Sequence, residues 1–312
     1  MKSLKFIICW SMVLLACGVV PLLGQDLVTK ALNSFPADTI RFEFSSPATL
    51  RKLPNYASLR EHYTGPRLKT LVASMAELGV AETDVDQLVL GWNVSDSGSD
   101  LNLYGFAGGQ FHSSALEARA AAQNLPPQQI GGKTGYCLGA GLDSECVVVL
   151  SSTEGIFGNL ATLSQIMQTL NVGGTSIGSN TEFANVVKGE QGNAPIWGVA
   201  TASAVSSWFK GWMPRQSAVE LDWSKVFQGV NALGYEVQTG SNVQLNLEMY
   251  CKTGEDAASL RQVLEGLKLA QQIAWQNQYP NRPNPFQSMD LSQNGNQIGV
   301  NLVANYSDIG GG

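Results

Sequence analysis

Few residues have the right types for covalent chemistry, and most lack the partners they need. Gly174-Thr175-Ser176-Ile177-Gly178 has the Gly-x-Ser-x-Gly spacing of a nucleophile elbow. Such a serine needs a histidine later in the chain to take its proton. The two histidines, His62 and His112, both precede it, so the segment reads as a glycine-rich linker. Gly132-Lys133-Thr134 has the ending of a phosphate-binding loop, but Pro127 stands where the first glycine belongs. Neither histidine has another at ligand spacing, and no cysteine pair has the spacing of a zinc site. Asp84, Asp86, Asp96 and Asp100 crowd one hairpin. Asp96 and Asp100 could help hold calcium in its loop, but the spacing and closing glutamate of an EF-hand are missing. These residues therefore assign no catalytic, cofactor-binding or metal site.

Two other groups of residues carry more. Trp208, Phe209 and Trp212 lie in Trp208-Phe209-Lys210-Gly211-Trp212-Met213-Pro214, and the two tryptophans share a helix face. They form either a core ridge packed on a sheet or an exposed aromatic surface that meets a partner, a glycan or a membrane. The polar run Gln276 to Pro285 reads as a solvated connection or a second contact. Cys137 and Cys146 flank the turn Gly139 to Ser144. A hairpin symmetric about Gly141 and Leu142 sets them opposite each other, with Cα atoms about 4.4–6.8 Å apart if they are bridged. Such a bridge would contribute roughly 2–3 kcal/mol. Cys251 falls on the Val243, Leu245, Leu247, Met249 face of its strand and reads as a buried, inert thiol.

A disulfide implies an oxidising compartment, and the N-terminus agrees. Lys2 and Lys5 precede an uncharged stretch from Phe6 to Leu23, and Gly24 stands before Gln25-Asp26. This order predicts a secretory signal over residues 1–24. The same run also reads as an uncleaved membrane anchor, or as a lipoprotein signal through Leu14-Leu15-Ala16-Cys17. Only 14% of the 312 residues are charged, and the net charge is −6, which excludes a basic footprint for nucleic acid.

The elements that position these residues read as one order used twice. A strand at Thr39–Phe44 precedes a helix carrying Leu68, Leu71, Val72, Met75 and Leu78, stopped at Gly79. Leu88–Trp92 and Leu101–Phe106 form a hairpin, a helix starts near Ser114, and the cysteine hairpin follows. Ile196–Ala202 then begins the second round. Helical material runs through Trp208, Phe209 and Trp212 and, after Pro214, from Trp223 to Val230, and Tyr235–Thr239 pairs with Val243–Cys251. A helix through Leu260, Leu264 and Leu267 leads to a last hairpin, Phe286–Leu291 with Ile298–Ala304, around Asn294-Gly295. The expected class is α+β: tandem duplicated β-α-β-β-α-β-β units, with antiparallel sheets each covered by helices on one face. The expected domains are 25–189 and 190–312, joined through helices at Leu160–Leu170 and from Ser179.

Pro36-Ala37-Asp38-Thr39, Asp86-Gln87-Leu88-Val89-Leu90, and Asn180-Thr181-Glu182-Phe183-Ala184 before Pro195-Ile196-Trp197-Gly198-Val199 resemble uncharacterised exported bacterial proteins of the acidobacterial type. The resemblance implies export and a duplicated α+β unit, and it carries no catalytic residue. The functional expectation is a non-enzymatic binding or envelope-associated module that is periplasmic or extracellular. Its partners would be an envelope component or another exported protein, not nucleic acid. Any membrane contact would come through a retained or lipidated N-terminus. The alternative is a carboxylate-dependent hydrolase acting on an envelope polymer.

Overall fold

The computed structural model describes residues 23–54, 56–57, 60, 66–94, 101–139, 141–190, 192, 194–205, 222–281 and 283–306. Helix α1 (Leu23–Ser34) leads into β1 (Arg41–Ser45). Helix α2 (Pro66–Glu77) precedes β2 (Val85–Val94) and β3 (Leu101–Gly109). Helix α3 (Ser113–Ala122) is followed by β4 (Gln128–Ile130), β5 (Lys133–Leu138), β6 (Glu145–Ser151) and β7 (Glu154–Asn159). Helices α4 (Leu160–Val172) and α5 (Thr181–Glu190) lead to β8 (Ile196–Thr201). The chain ends on β9 (Val230–Thr239), β10 (Val243–Cys251), α6 (Gly254–Gln278), β11 (Asp290–Asn294) and β12 (Gln297–Ala304).

The twelve strands form one antiparallel sheet in the order β11-β12-β10-β9-β8-β1-β2-β3-β7-β6-β5-β4. The fold is α+β as expected, but one sheet replaces the expected separate ones. The reason lies at its centre, where β1 pairs with β8 from Arg41 opposite Ala200 to Ser45 opposite Ile196. Each of these short strands would otherwise leave an open edge of unpaired backbone groups.

Helices also cover more than one face. In β2, β3, β6 and β7 both parities are apolar: Val89 and Leu90, Phe106 and Ala107, Val147 and Val148, Ile156 and Phe157 are all buried. A strand apolar on both faces needs cover on both. Helices α1, α4 and α5 cover one face through Leu27, Val28, Ala31, Ile166 and Val187. Helices α2 and α3 cover the other through Leu71, Met75, Leu78, Leu116 and Ala120. Beyond β8 only that second face is apolar, and α6 covers it with Ala257, Leu260 and Leu264.

An aromatic chain ties α1 to both halves. The ring of Phe35 stacks on Phe106 at 5.6 Å and meets Phe42 at 5.8 Å, and Trp197 of β8 stacks on Phe42 and Phe44.

Local details shift some expected boundaries. The stop of α2 at Gly79 holds, with a φ of 83° that favours glycine. Helix α3 begins after His112, not at a Ser114 capping box. Asn180, not Ser179, caps α5, its Oδ1 accepting the Phe183 N–H at 3.1 Å. Val230 starts a strand, and the helix before it spans only Trp223–Val226. Phe286 sits in a 3-10 turn, and its strand starts at Asp290.

Candidate functional site

Cys137 and Cys146 stand directly opposite each other on β5 and β6 and are bridged. Their Cα atoms are 4.0 Å apart, just under the range expected. Cys251 is free and buried, and burial followed by the charge of Asp256 pushes its thiol up. Trp208, Phe209 and Trp212 lie outside the described residues, as do His62, Asp96 and Asp100.

The remaining sequence candidates serve the fold. Ser176 leads into the 3-10 turn Ile177–Ser179, and the Ile177 N–H bonds the Phe35 carbonyl at 3.0 Å. Lys133 and Thr134 open β5 beside the turn at Gly131 and Gly132. Asp84 accepts the Ala81 N–H at 2.9 Å, and Asp86 faces Arg51 at 3.4 Å. The connection after α6 is pinned to it: Trp275 Nε1 bonds the Pro283 carbonyl, and Asn284 Nδ2 bonds that of Gln272.

At the seam of the sheet lies a half-buried charged cluster. The Arg41 guanidinium stands over the Trp92 ring at 4.4 Å and reaches Glu43 at 2.5 Å and the Tyr235 hydroxyl at 3.1 Å. Tyr235 in turn donates to Glu43. Burial opposes the guanidinium's charge, but Tyr235 and Glu43 outweigh it and raise its pKa. Every group here has a partner, so the cluster reads as a structural joint.

The surface that could hold a ligand is one no motif marked. On the face that α1 and α4 cover in the first half, the strands beyond β8 carry mostly polar residues and glycines. Sheet register arranges them in two rows. Glu236, Asn246, Asn301 and Asp290 stand side by side on β9, β10, β12 and β11. Gly234, Glu248, Gly299 and Ser292 form the next row. Each row crosses about 14 Å at ordinary strand spacing. The C-terminal end of α5 walls one side, and the whole encloses a groove of about 360 Å³.

Glu190, the last residue of α5, is 7% exposed. Its carboxylate occupies the space above Gly234, where an added Cβ would lie 2.0 Å from Oε1. Burial, then the charges of Glu248 and Glu236, push this carboxyl up to about 7. Tyr250 donates to Glu248 Oε2 at 2.9 Å, and Gln238 Nε2 donates to Glu236 Oε2 at 3.3 Å. Asn301 and Gln244 both donate to Asn246 Oδ1. Burial raises the Tyr250 hydroxyl well above its ordinary pKa, helped by its bond to Glu248 and the charges of Glu248 and Glu190. Among the described residues, no lysine or arginine pairs with Glu190, Glu236, Glu248 or Asp290. The arrangement can accept hydrogen bonds and attract positive charge. Among the described residues no group of acids, histidines or cysteines is close enough to hold a metal ion.

No family model matches this chain, and no curated protein matches it. Its fold is shared. Crystal form I of TP0453 superposes with a TM-score of 0.53 over 90% of this chain and 95% of that one, at 7% identity. Crystal form IV of TP0453 gives 0.48 over 90% and 94%, also at 7% identity. At that identity the likeness to form I speaks for the fold alone.

The sequence did hold a signal for the groove. Val243 to Cys251 alternates strictly, and its apolar parity ends on the buried Leu247, Met249 and Cys251. Its other parity, Gln244, Asn246, Glu248 and Tyr250, is polar and matches Glu236 and Asn301 at Asn246, while glycines flank Glu248 and Val303 and Ala232 stand beside Gln244 and Tyr250. That match needs the strand order β9-β10-β12-β11, in which β12 rather than β11 lies beside β10.

Proposed function

We propose that this chain is an exported, non-enzymatic binding module, and that it binds its ligand in the groove on the uncovered face of β9, β10, β12 and β11. The observation that carries this reading is the groove itself. It is a concave, polar surface with four carboxylates that lack cationic partners among the described residues, on a sheet otherwise closed by helices. A solvated face needs polar residues but does not need a buried, unpaired acid at its wall.

The proposal includes two copies of one α+β unit, residues 25–189 and 190–312. Strand order supports it. Outward from the β1–β8 pair, β1-β2-β3-β7-β6 runs one way and β8-β9-β10-β12-β11 runs the other. In that correspondence β6–β7, not the cysteine hairpin, matches the final hairpin, and β4 and β5 are additions. Among the described residues, the first copy closes both faces and the second leaves one open. Export is supported by the Cys137–Cys146 bridge. Among the described residues no helix is long and apolar enough to cross a membrane. Cleavage after Gly24 would leave the core residues of α1 intact. The partner in this reading is an envelope component or another exported protein.

A thermal-shift panel of envelope sugars, peptides and small amines tests the binding reading, run on the full chain and on Ser292→Trp, which fills the groove. The expected result is a ligand that stabilises the chain and not the variant. Equal stabilisation of both, or none by any compound, refutes it.

One observation favours a second reading, a carboxylate-dependent hydrolase of an envelope polymer. Glu190 holds its proton near neutral pH beside Glu248, as an acid–base pair requires. Release of soluble fragments from envelope polysaccharide, abolished in Glu190→Gln, would establish it in place of the binding reading.

A further inference from the structure

We propose that the ligand of this groove is an extended aliphatic amine, with a primary ammonium group seated between Glu190, Glu236 and Glu248. The inference rests on the binding reading above and names the ligand's chemistry. The groove offers acceptors in excess. Glu190, Glu236, Glu248 and Asp290 are all carboxylates, and the amides of Gln238 and Gln244 already donate within the rows. Glu190 is the decisive member. The residue is 7% exposed and makes no hydrogen bond or ion pair among the described residues, and its carboxylate lies over Gly234 at the groove wall, where its oxygens still meet solvent. An acid placed there without a partner is a costly vacancy that a cation fills.

The acids do not converge on a point. Glu236 and Asp290 stand at opposite ends of one row, about 14 Å apart at ordinary strand spacing. That spread does not suit a single metal ion, which needs its ligands within about 2–3 Å. It suits a chain with charge at one end or both. At the α5 end a primary ammonium can donate to Glu190, while the charges of Glu236 and Glu248 add attraction around it. The low floor formed by Gly299 and Ser292 lets the methylenes run toward β11.

Binding an ammonium favours the ionised form of Glu190, so it releases a proton near neutral pH. The groups facing Glu190 are Glu236 of β9, and Glu248 and Tyr250 of β10. With the free carboxyl half-protonated at about 7, affinity should rise about tenfold from pH 6 to pH 8, while the amine stays charged.

The test is titration calorimetry on the full chain, in two buffers of different ionisation enthalpy, at pH 6, 7 and 8. The probes are cadaverine, Nα-acetyl-lysine amide, diacetylcadaverine and calcium chloride. The expected result is binding of an amine with proton release, loss of the pH dependence in Glu190→Gln, and no binding of diacetylcadaverine. Preference for cadaverine identifies a free diamine as the source. Preference for the lysine derivative identifies an amine borne by a peptide or polymer. Binding of calcium or diacetylcadaverine without the amines, lost in Ser292→Trp, overturns the amine and keeps the binding groove. Binding that survives in Ser292→Trp overturns both. A melting temperature for Glu190→Gln at or above that of the parent shows that lost binding is not lost folding.

Discussion

Replacing Glu190 with glutamine should make the folded protein more stable above neutral pH and leave it unchanged in acid. The folded chain holds the Glu190 proton up to about pH 7, whereas a carboxyl in the unfolded chain loses it near its ordinary value of 4.5. The native state therefore binds more protons between those limits. This contribution is fully present below about pH 4.5 and is lost as pH rises through 7. A shift of that size corresponds to about 3 kcal/mol if fully expressed. The groove is open on one side, and water screens part of it, which leaves about 1–2 kcal/mol. For a chain this long that is roughly 1.5–3 °C in melting temperature. Calorimetric melts of parent and Glu190→Gln at pH 4 and pH 8.5 read it directly. The two should melt together at pH 4, and the variant should melt higher at pH 8.5. Parallel pH profiles, or a variant less stable at pH 8.5, would refute the placement of a buried, unpaired acid at the end of α5.

Gly234→Ala should expel the Glu190 carboxylate from above β9 and flatten the pH profile as glutamine does, at a stability cost under about 1 kcal/mol; carboxyl titration by NMR should return Glu190 toward its ordinary value. Arg41→Ala leaves Glu43 buried beside Tyr235 and should cost about 3–5 kcal/mol in denaturant unfolding, while Arg41→Met with Glu43→Leu should recover most of it. Alkylation and mass mapping should label Cys251 only after denaturation, and Cys137 and Cys146 only after denaturation and reduction.

Local patterning made much of the fold legible and little of the groove. Cys137 and Cys146 were placed opposite each other because a short turn fixes hairpin register over a few residues. The helix bearing Leu71, Met75 and Leu78 and the strand ending at Cys251 were legible from period alone. Strand β7, Glu154–Asn159, was missed because its two glycines, Gly155 and Gly158, break the alternation. Cover on both faces is not legible within one strand: Val147-Val148 and Ile156-Phe157 are apolar in both parities, but the helices that each parity packs against lie elsewhere in the chain. The groove was beyond reach for another reason. Glu190 ends a helix, and Glu236, Glu248 and Asp290 lie far apart in the chain. What gathers them is the placement of β12 between β10 and β11, a pairing between strands that no single segment encodes.

The β1–β8 joint also has a consequence in time. About 160 residues separate Arg41 from its partner Ala200, so at synthesis rates of about 5–20 residues per second one edge of β1 waits roughly 8–30 s for its mate. Phe42 and Phe44 line one side of that waiting strand, and Arg41 and Glu43 line the other. The charged side discourages two nascent chains from joining through this edge before β8 arrives. The ion pair at the seam thus protects the unfinished molecule as well as bracing the finished one.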